Sequence, residues 1–341
     1  MNPSRHKAQG SKLKAQQLRF VTWILCLVPW ALIPLVPSAQ QQNFDTVRIE
    51  TIQVRPNIHM LVGAGSNVTV MTGEDGVLVV DTQFAPMSDR IIAAVRQLSD
   101  KTIRYVVNTH VHGDHIGGNE NLAKAGSTRA GGNVVGDIGQ AARERAEIVA
   151  HENVLNRMSR PGAPTTVASG SWPTVTFFGS QRDMLFNGEA VQMFHQPAAH
   201  TDGDILVFFR RSDVLSTGDV FVTTGYPYID VANGGHINGI ITALNRIIEI
   251  AVPSNVEEGG TLIIPGHGRL CDEWEVVEYR DMVTIVRDRI QTMIKKGMTV
   301  EQVKAARPTF EYDGRFGADS GFWTTTMFVE TIYRNLTGGR S

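Results

Sequence analysis

Cysteine is nearly absent from this chain: Cys26 and Cys271 are the only two in 341 residues. Cys26 lies inside an apolar run near the start, so a chain trimmed of that run keeps one thiol and can form no internal disulfide. Stability must then come from a packed core and from any metal the fold holds. Basic runs are missing as well. Arg5, Lys7, Lys12, Lys14 and Arg19 fall within the first 39 residues, which carry no acidic side chain; the formal charge of the whole chain is −2, so the remainder carries −7. A body that acidic excludes a protein that tracks the nucleic-acid backbone. Long apolar stretches are limited to one, Phe20–Val36, which has 17 residues and is interrupted by Pro29 and Pro34. That is the lower limit for a membrane span. Low-complexity tracts and internal repeats are also lacking.

The apolar run follows a basic start and precedes Ser38 and Ala39, the order of a secretory signal peptide. We therefore expect residues 1–39 to be removed and the protein to be periplasmic or secreted, with no stable membrane association. No small residue of the lipoprotein type precedes Cys26, so a lipid anchor is not expected.

What remains is 42% hydrophobic and 19% charged over the whole chain, the composition of an ordinary globular protein. Short apolar runs at Val47–Val54, Ile58–Val62, Val68–Met71 and Val77–Val80, broken by Pro56-Asn57, Gly63, Gly65 and Gly73–Gly76, predict a β-meander. Ile91, Ile92, Val95 and Leu98 recur at helical spacing behind Ser88, a candidate N-cap. Strands are predicted at Ile103–Asn108, Val175–Phe178, Met184–Phe194, Ile205–Phe209, Val214–Ser216 and Leu262–Ile264, with helices at Asp137–Met158 and Ile240–Ala251. Such alternation predicts two packed sheets flanked by helices. Beyond His267 the pattern turns helical. Asp272 with Glu275, and Thr299 with Gln302, have the form of capping boxes. Val276, Val277, Met282, Val283, Val286 and Ile290 make an apolar stripe that must be buried, and a last helix is expected at Met327–Leu336.

Chemistry is concentrated in His110-Val-His112-Gly-Asp114-His115, three histidines and an aspartate within six residues. At the frequency of histidine here, a chance match to that pattern arises on the order of once in two thousand such chains, so the cluster is functional rather than incidental. In an extended segment His110 and His112 project to one side and can reach one cation. The chain then turns at Gly113, so that Asp114 and His115 can face a second. Further candidate ligands follow strands: His200 in Pro197–Asp204, Asp219 in Ser216–Asp219, and His267 in Ile264–Gly268.

Asp81 after Val79-Val80, the His110–His115 run, His200, Asp219 and His267 together resemble the five successive motifs of the metallo-β-lactamase superfamily. The resemblance covers residues 47–270 approximately. It implies an α/β chain folded as an αββα sandwich, the metallo-β-lactamase fold, over residues 40–271, with residues 272–341 as a C-terminal helical extension packed on that catalytic core. It also implies two divalent metals, zinc foremost, with iron or manganese as alternatives. His110, His112 and His200 would hold the first; Asp114, His115 and His267 the second; Asp219 would bridge them, and Asp81 would support the His loop from behind. An aspartate at 219 resembles the glyoxalase II, lactonase and general hydrolase branches, whereas cysteine-containing zinc lactamases place Cys there. Oxygen-reducing diiron relatives carry Glu where this chain has His112.

In such a site, water between two divalent cations ionises near neutral pH, with a pKa of ~7. The bridging hydroxide would attack an ester, thioester, lactone or amide bond, with Asp114 orienting the water and taking its proton. The expectation is an exported metal-dependent hydrolase of an anionic small molecule. Competing readings are a β-lactamase, an iron persulfide dioxygenase, and a non-catalytic exported metal-binding or redox-partner protein. Candidate substrate contacts are His236 in the Gly-rich stretch Asn233–Asn238, Tyr226, Tyr228 and Trp172. His59, His151 and His195 read as structural.

Overall fold

A computed structural model describes residues 43–128, 145–160, 167–256 and 259–338. The expected signal segment, residues 1–39, lies outside them. The meander forms as β1 (Glu50–Arg55), β2 (Ile58–Val62), β3 (Val68–Gly73) and β4 (Gly76–Val80), paired antiparallel in sequence order. Helix α1 (Ser88–Leu98) then crosses to β5 (Ile103–Val107), which lies parallel to β4. After β5 come the short helices α2 (Gly113–Ile116) and α3 (Asn119–Ala125). Two further parallel strands, β6 (Glu147–His151) and β7 (Val175–Phe177), complete a seven-stranded sheet, with α4 (Glu152–Met158) between them. The second sheet has five strands in the order β12-β11-β10-β9-β8: β8 (Gln181–Phe186), β9 (Glu189–His195), β10 (Ile205–Phe209), β11 (Val214–Ser216) and β12 (Leu262–Ile264).

Side-chain alternation explains why these strands stack in layers. In β4, Leu78 and Val80 enter the apolar core between the sheets, while Val77 and Val79 face the helix side with Ile91, Val95 and Leu122. In β10, Ile205, Val207 and Phe209 face the inter-sheet core and Leu206 faces outward. A strand covered on both sides needs a continuous apolar run, which is what Gly76–Val80 is. Each such Val or Leu contributes roughly 1.5–3 kcal/mol on full burial.

The outer face of the second sheet is covered by α5 (Ile237–Ile250) and α6 (Glu273–Lys295), followed by α7 (Val300–Ala305), α8 (Asp313–Phe316) and α9 (Thr325–Thr337). Val276, Val283, Val286 and Ile290 of α6, with Phe328 and Ile332 of α9, join one buried cluster with Leu206, Leu215, Ile240 and Leu244. The order of layers is helix, sheet, sheet, helix: the αββα sandwich. No helix among the described residues is long and apolar enough to cross a membrane.

Several local expectations are corrected. Residues 147–151 are strand, not helix; only Glu152–Met158 of that stretch is helical among the described residues, with residues 129–144 outside them. Met184–Phe194 is a hairpin rather than one strand. Asn187 and Gly188 both take positive φ, 52° and 74°, and reverse the chain between β8 and β9. Asn-Gly is the pair that such a turn favours. Met87, not Ser88, occupies the N-cap of α1. The Asp272 side chain makes no capping bond, whereas Thr299 and Gln302 form the full capping box.

Candidate metal centre

Every motif residue sits where a strand ends, on one edge of the sandwich. Asp81 follows β4, Thr109–His115 follow β5, His200 lies between β9 and β10, Asp219 follows β11 and His267 follows β12. Asp81 adopts φ 61°, a left-handed conformation strained for a residue with a side chain. That turn aims its carboxylate under the His loop. Asp81 Oδ1 accepts from the Thr109 backbone N at 2.8 Å; Oδ2 accepts from Thr109 Oγ1 at 2.7 Å and from His115 Nδ1 at 2.8 Å.

The hydrogen bonds fix which nitrogen of each ring is free. His115 donates Nδ1–H to Asp81, and His200 donates Nδ1–H to the Tyr228 carbonyl at 2.7 Å. His112 donates Nε2–H to Asp230 Oδ2 at 2.7 Å. Thr109 Oγ1, already donating to Asp81, accepts from His110 Nδ1 at 3.1 Å. The remaining lone pairs therefore converge: His110 Nε2 lies 3.1 Å and His200 Nε2 lies 2.9 Å from His112 Nδ1. Asp219 Oδ2 is 3.9 Å from His110 Nε2 and 3.7 Å from His200 Nε2. Lone pairs pointed at one another repel unless a cation lies among them. Ligands at ~2.0–2.1 Å from one tetrahedral ion stand roughly 3.3 Å apart, within the 2.9–3.9 Å range of these contacts.

A second set adjoins the first. His115 Nε2 and His267 Nε2 lie 3.2 and 3.4 Å from Asp219 Oδ1, and His267 Nε2 lies 3.2 Å from Asp114 Oδ2. Within each set, His110, His112, His200, Asp219 and then Asp114, His115, His267, the donor atoms all lie within 4.8 Å of one another. The two oxygens of Asp219 thus face different sets. His115 Nε2 and Asp219 Oδ1 are buried without any hydrogen-bond partner. Buried polar atoms are rarely left so, and this pair is what a cation would satisfy. The residues present therefore fit divalent metal.

Electrostatics divide the two sets. Burial, reinforced by His115 and His200, holds His110 well below the usual histidine range; burial and His112 push His200 down to about 4. Those rings are neutral and ready to coordinate. His115 is pulled well above that range, because Asp219, Asp81 and Asp114 overcome burial; His267 is raised to about 9, with Asp219 and Asp114 overcoming burial. Burial would raise Asp219, but His115 and His267 hold it well below the carboxylate range.

Above the ligands lies a cavity of about 530 Å³. His112, Asp114, Asp219 and His267 line its floor, and Phe84, Val222, Tyr226, Tyr228, Phe316, Phe322 and Trp323 line its walls. Gly65, at φ 99°, allows the close approach at its base: a Cβ there would sit 3.1 Å from the Asp114 Cβ and 3.2 Å from the Phe84 ring. Of the four candidate substrate contacts, the cavity takes two. Tyr228 sets its ring 5.7 Å from that of His112, and Tyr226 forms part of the wall, stacked on Phe328 at 4.6 Å.

The other two lie elsewhere. His236 caps α5, its Nδ1 accepting from the Asn238 N at 3.1 Å, because the Gly-rich loop folds against the helix start rather than over the floor. Trp172 donates Nε1–H to the Val167 carbonyl at 3.0 Å and packs beside Val111, Ile116 and Met158. His151 and His195 lie outside both donor sets and partner each other: their rings stack at 3.6 Å and tie β6 to β9 across the two sheets. Asp230 is a site residue that the sequence did not flag. It lies 118 positions from His112, and no spacing connects them.

Comparison with known proteins agrees with this geometry. The family model described as the metallo-beta-lactamase superfamily matches residues 61–267. A linear primary-alkylsulfatase from Pseudomonas sp. is 26% identical over 267 residues, 67% of this chain and 48% of that one. A hydroxyacylglutathione hydrolase from Rhodospirillum rubrum is 26% identical over 232 residues, 68% of this chain and 70% of the relative. Among solved structures, the sec-alkylsulfatase Pisa1 from Pseudomonas sp. superposes with a TM-score of 0.59 at 15% identity, covering 84% of this chain and 50% of its own, a likeness of fold. The chain spans about half the length of these alkylsulfatases. With more than half its length matched by the family model and the ligand sets gathered at one edge of an αββα sandwich, the chain belongs to the metallo-beta-lactamase superfamily.

Proposed function

We propose that the chain is a two-metal hydrolase, zinc-loaded and exported, that cleaves an ester, thioester, lactone or amide bond of a small molecule. The observation that carries this reading is the pair of donor sets sharing Asp219 at the floor of the cavity. His110, His112, His200 and Asp219 would hold one cation, and Asp114, His115, His267 and Asp219 the other. Such ions, when bound, supply Lewis acidity and a nucleophile available at neutral pH.

The chain's own groups do the rest. Asp81, Thr109, Tyr228 and Asp230 lock four rings in the tautomers that leave the correct nitrogen free. Asp114 lines the cavity with its carboxylate partly exposed and its Oδ2 beside His267. Attracted chiefly by His115 against the effect of burial, it is held below the usual carboxylate range and so is ionised. From there it can orient an attacking water and accept its proton. Tyr228 and Val222 line the cavity beside these groups. The export proposal rests on the basic and apolar order of residues 1–39.

A second reading, hydrolysis of a sulfate ester, is favoured by the alkylsulfatase relatives. The test is a panel of lactams, lactones, thioesters, phosphoesters and sulfate esters on zinc-loaded protein. We expect turnover of at least one carbonyl class, and a fall in kcat of ~10²–10⁴ for Asp114→Asn with metal retained. Absence of turnover across the panel, or full kcat in the Asn variant, would overturn the assignment.

A further inference from the structure

The helical extension contributes much of the cavity wall: Phe316, Gly317, Ala318, Phe322, Trp323 and Thr325 all come from it. Two of these rings connect to the metal floor through Tyr228. Tyr228 meets Phe322 at 4.9 Å and Trp323 at 4.8 Å, both edge to face, and its ring lies 5.5 Å from that of His200 and 5.7 Å from that of His112. A continuous series of aromatic contacts therefore links His112 and His200 to an exposed ring of the cavity lining. Its outer member, Phe322, is 73% exposed.

A single exposed apolar side chain is ordinary. This one is presented by a closed loop. The Thr325 N donates to the Ala318 carbonyl at 2.9 Å and the Ala318 N donates to Thr325 Oγ1 at 3.0 Å, which ties both ends of the segment together. Gly321 turns within it at φ 106°, and Trp323 is anchored against Phe328. The loop that adds this phenyl ring to the cavity lining is thus tied at both ends, so little ordering cost would fall on a ligand that met it.

Charge completes the pattern. Neither lysine nor arginine is among the residues lining the cavity, and its ionisable groups other than tyrosine are the floor residues His112, Asp114, Asp219 and His267. The wall supplies no cationic side chain for an anionic group of the substrate. Its rings, standing edge to face, suit another aromatic ring beyond what buried area alone provides.

We propose that Phe322, Trp323 and Tyr228 form a subsite for an uncharged aryl group, joined by a short aliphatic spacer to the bond that is cleaved, with Phe322 as its specificity determinant. This rests on the hydrolase reading above, and the experiment separates the two. Dissociation constants of 5-phenylpentan-2-one and pentan-2-one, which contain no hydrolysable bond, are measured by calorimetry on the full zinc-loaded chain and on Phe322→Ala. In parallel, kcat/KM is measured for ethyl 4-phenylbutanoate and ethyl butanoate in a pH-stat. Because Phe322 is exposed, its truncation leaves the core intact, and a matching thermal midpoint verifies this. We expect the phenyl ketone to bind wild type at least about tenfold more tightly than pentan-2-one, and Phe322→Ala to remove most of that preference. The ratio of ester kcat/KM values should follow in the same direction. Should the ketones behave so while neither ester is turned over, the subsite stands and ester hydrolysis is the part that fails. Equal binding of the two ketones to wild type, or an undiminished preference in Phe322→Ala, overturns the subsite.

Discussion

Asp230 gives the sharpest test of how the site is held. Its Oδ2 accepts from His112 Nε2 at 2.7 Å and from Asn233 Nδ2 at 2.6 Å, while Oδ1 accepts from the Asn233 N at 3.1 Å. Burial works against the charge of Asp230, but His112 and Asn233 hold its carboxyl down at about 2, so it is ionised at any working pH. The bond to His112 keeps the proton on Nε2 and leaves Nδ1 facing His110 and His200. A hydrogen bond to a charged partner contributes about 1.5–3 kcal/mol. At 1.4 kcal/mol per factor of ten, removing it should weaken metal binding at the His110–His112–His200 set by roughly 10–100-fold. Asp230→Ala is the perturbation, with Asp230→Asn as an intermediate case that keeps an acceptor oxygen but loses the charge. Stepwise zinc affinities are read by competition with a chromophoric chelator. One of the two affinities should fall by that factor in the Ala variant and by less in the Asn variant. Because Asp230 also caps the 3-10 turn Val231–Asn233, the thermal midpoint of the metal-free protein is measured alongside. Unchanged zinc affinities in Asp230→Ala would show that His112 needs no such support, and the reasoning would fail.

Two other outcomes follow from close contacts. A Cβ at Gly266 would collide with Asp219 Oδ1 and lie 2.7 Å from the Gly218 carbonyl carbon, so Gly266→Ala should displace Asp219 and reduce bound metal at both positions; elemental analysis that finds full occupancy refutes this. His151, pushed down to about 4 by burial and then by His195, must gain a proton to be charged as it is when unfolded. Its neutral form supports folding fully above the unfolded value near 6.5, and that support is lost as pH falls from there toward 4. His151→Phe keeps a ring for the stack and should flatten the dependence of thermal midpoint on pH across that window; parallel curves for variant and wild type would count against the assignment.

The two donor sets were legible in the sequence because half of their signal is local and the rest follows a family pattern. Three histidines and an aspartate after a β-branched strand are improbable by chance, and single ligands at other strand ends fall in register with a known pattern. Strands such as Gly76–Val80 and Ile205–Phe209 were legible for a related reason: burial on two faces demands an unbroken apolar run. The hairpin at Asn187-Gly188 was missed because apolar residues flank the turn on both sides and hide it within one run. Glu147–His151 read as helix because Ile148, Val149 and Ala150 run directly into the helical spacing of Val154 and Met158. Asp230 and the aromatic residues that the helical extension adds to the wall had no local signature. Phe316, Phe322 and Trp323 reach the cavity only because α6, α8 and α9 fold back over the second sheet, a tertiary event that neither periodicity nor spacing encodes.

The most direct test of the account is the metal content of the full chain and of Asp219→Ala, measured by elemental analysis on protein purified without chelator. Because Asp219 turns one oxygen to each donor set, the account predicts about two equivalents of divalent metal, zinc foremost, in the wild type and loss at both positions in the variant. A single firmly held iron in the wild type, or two equivalents still bound by Asp219→Ala, would contradict it.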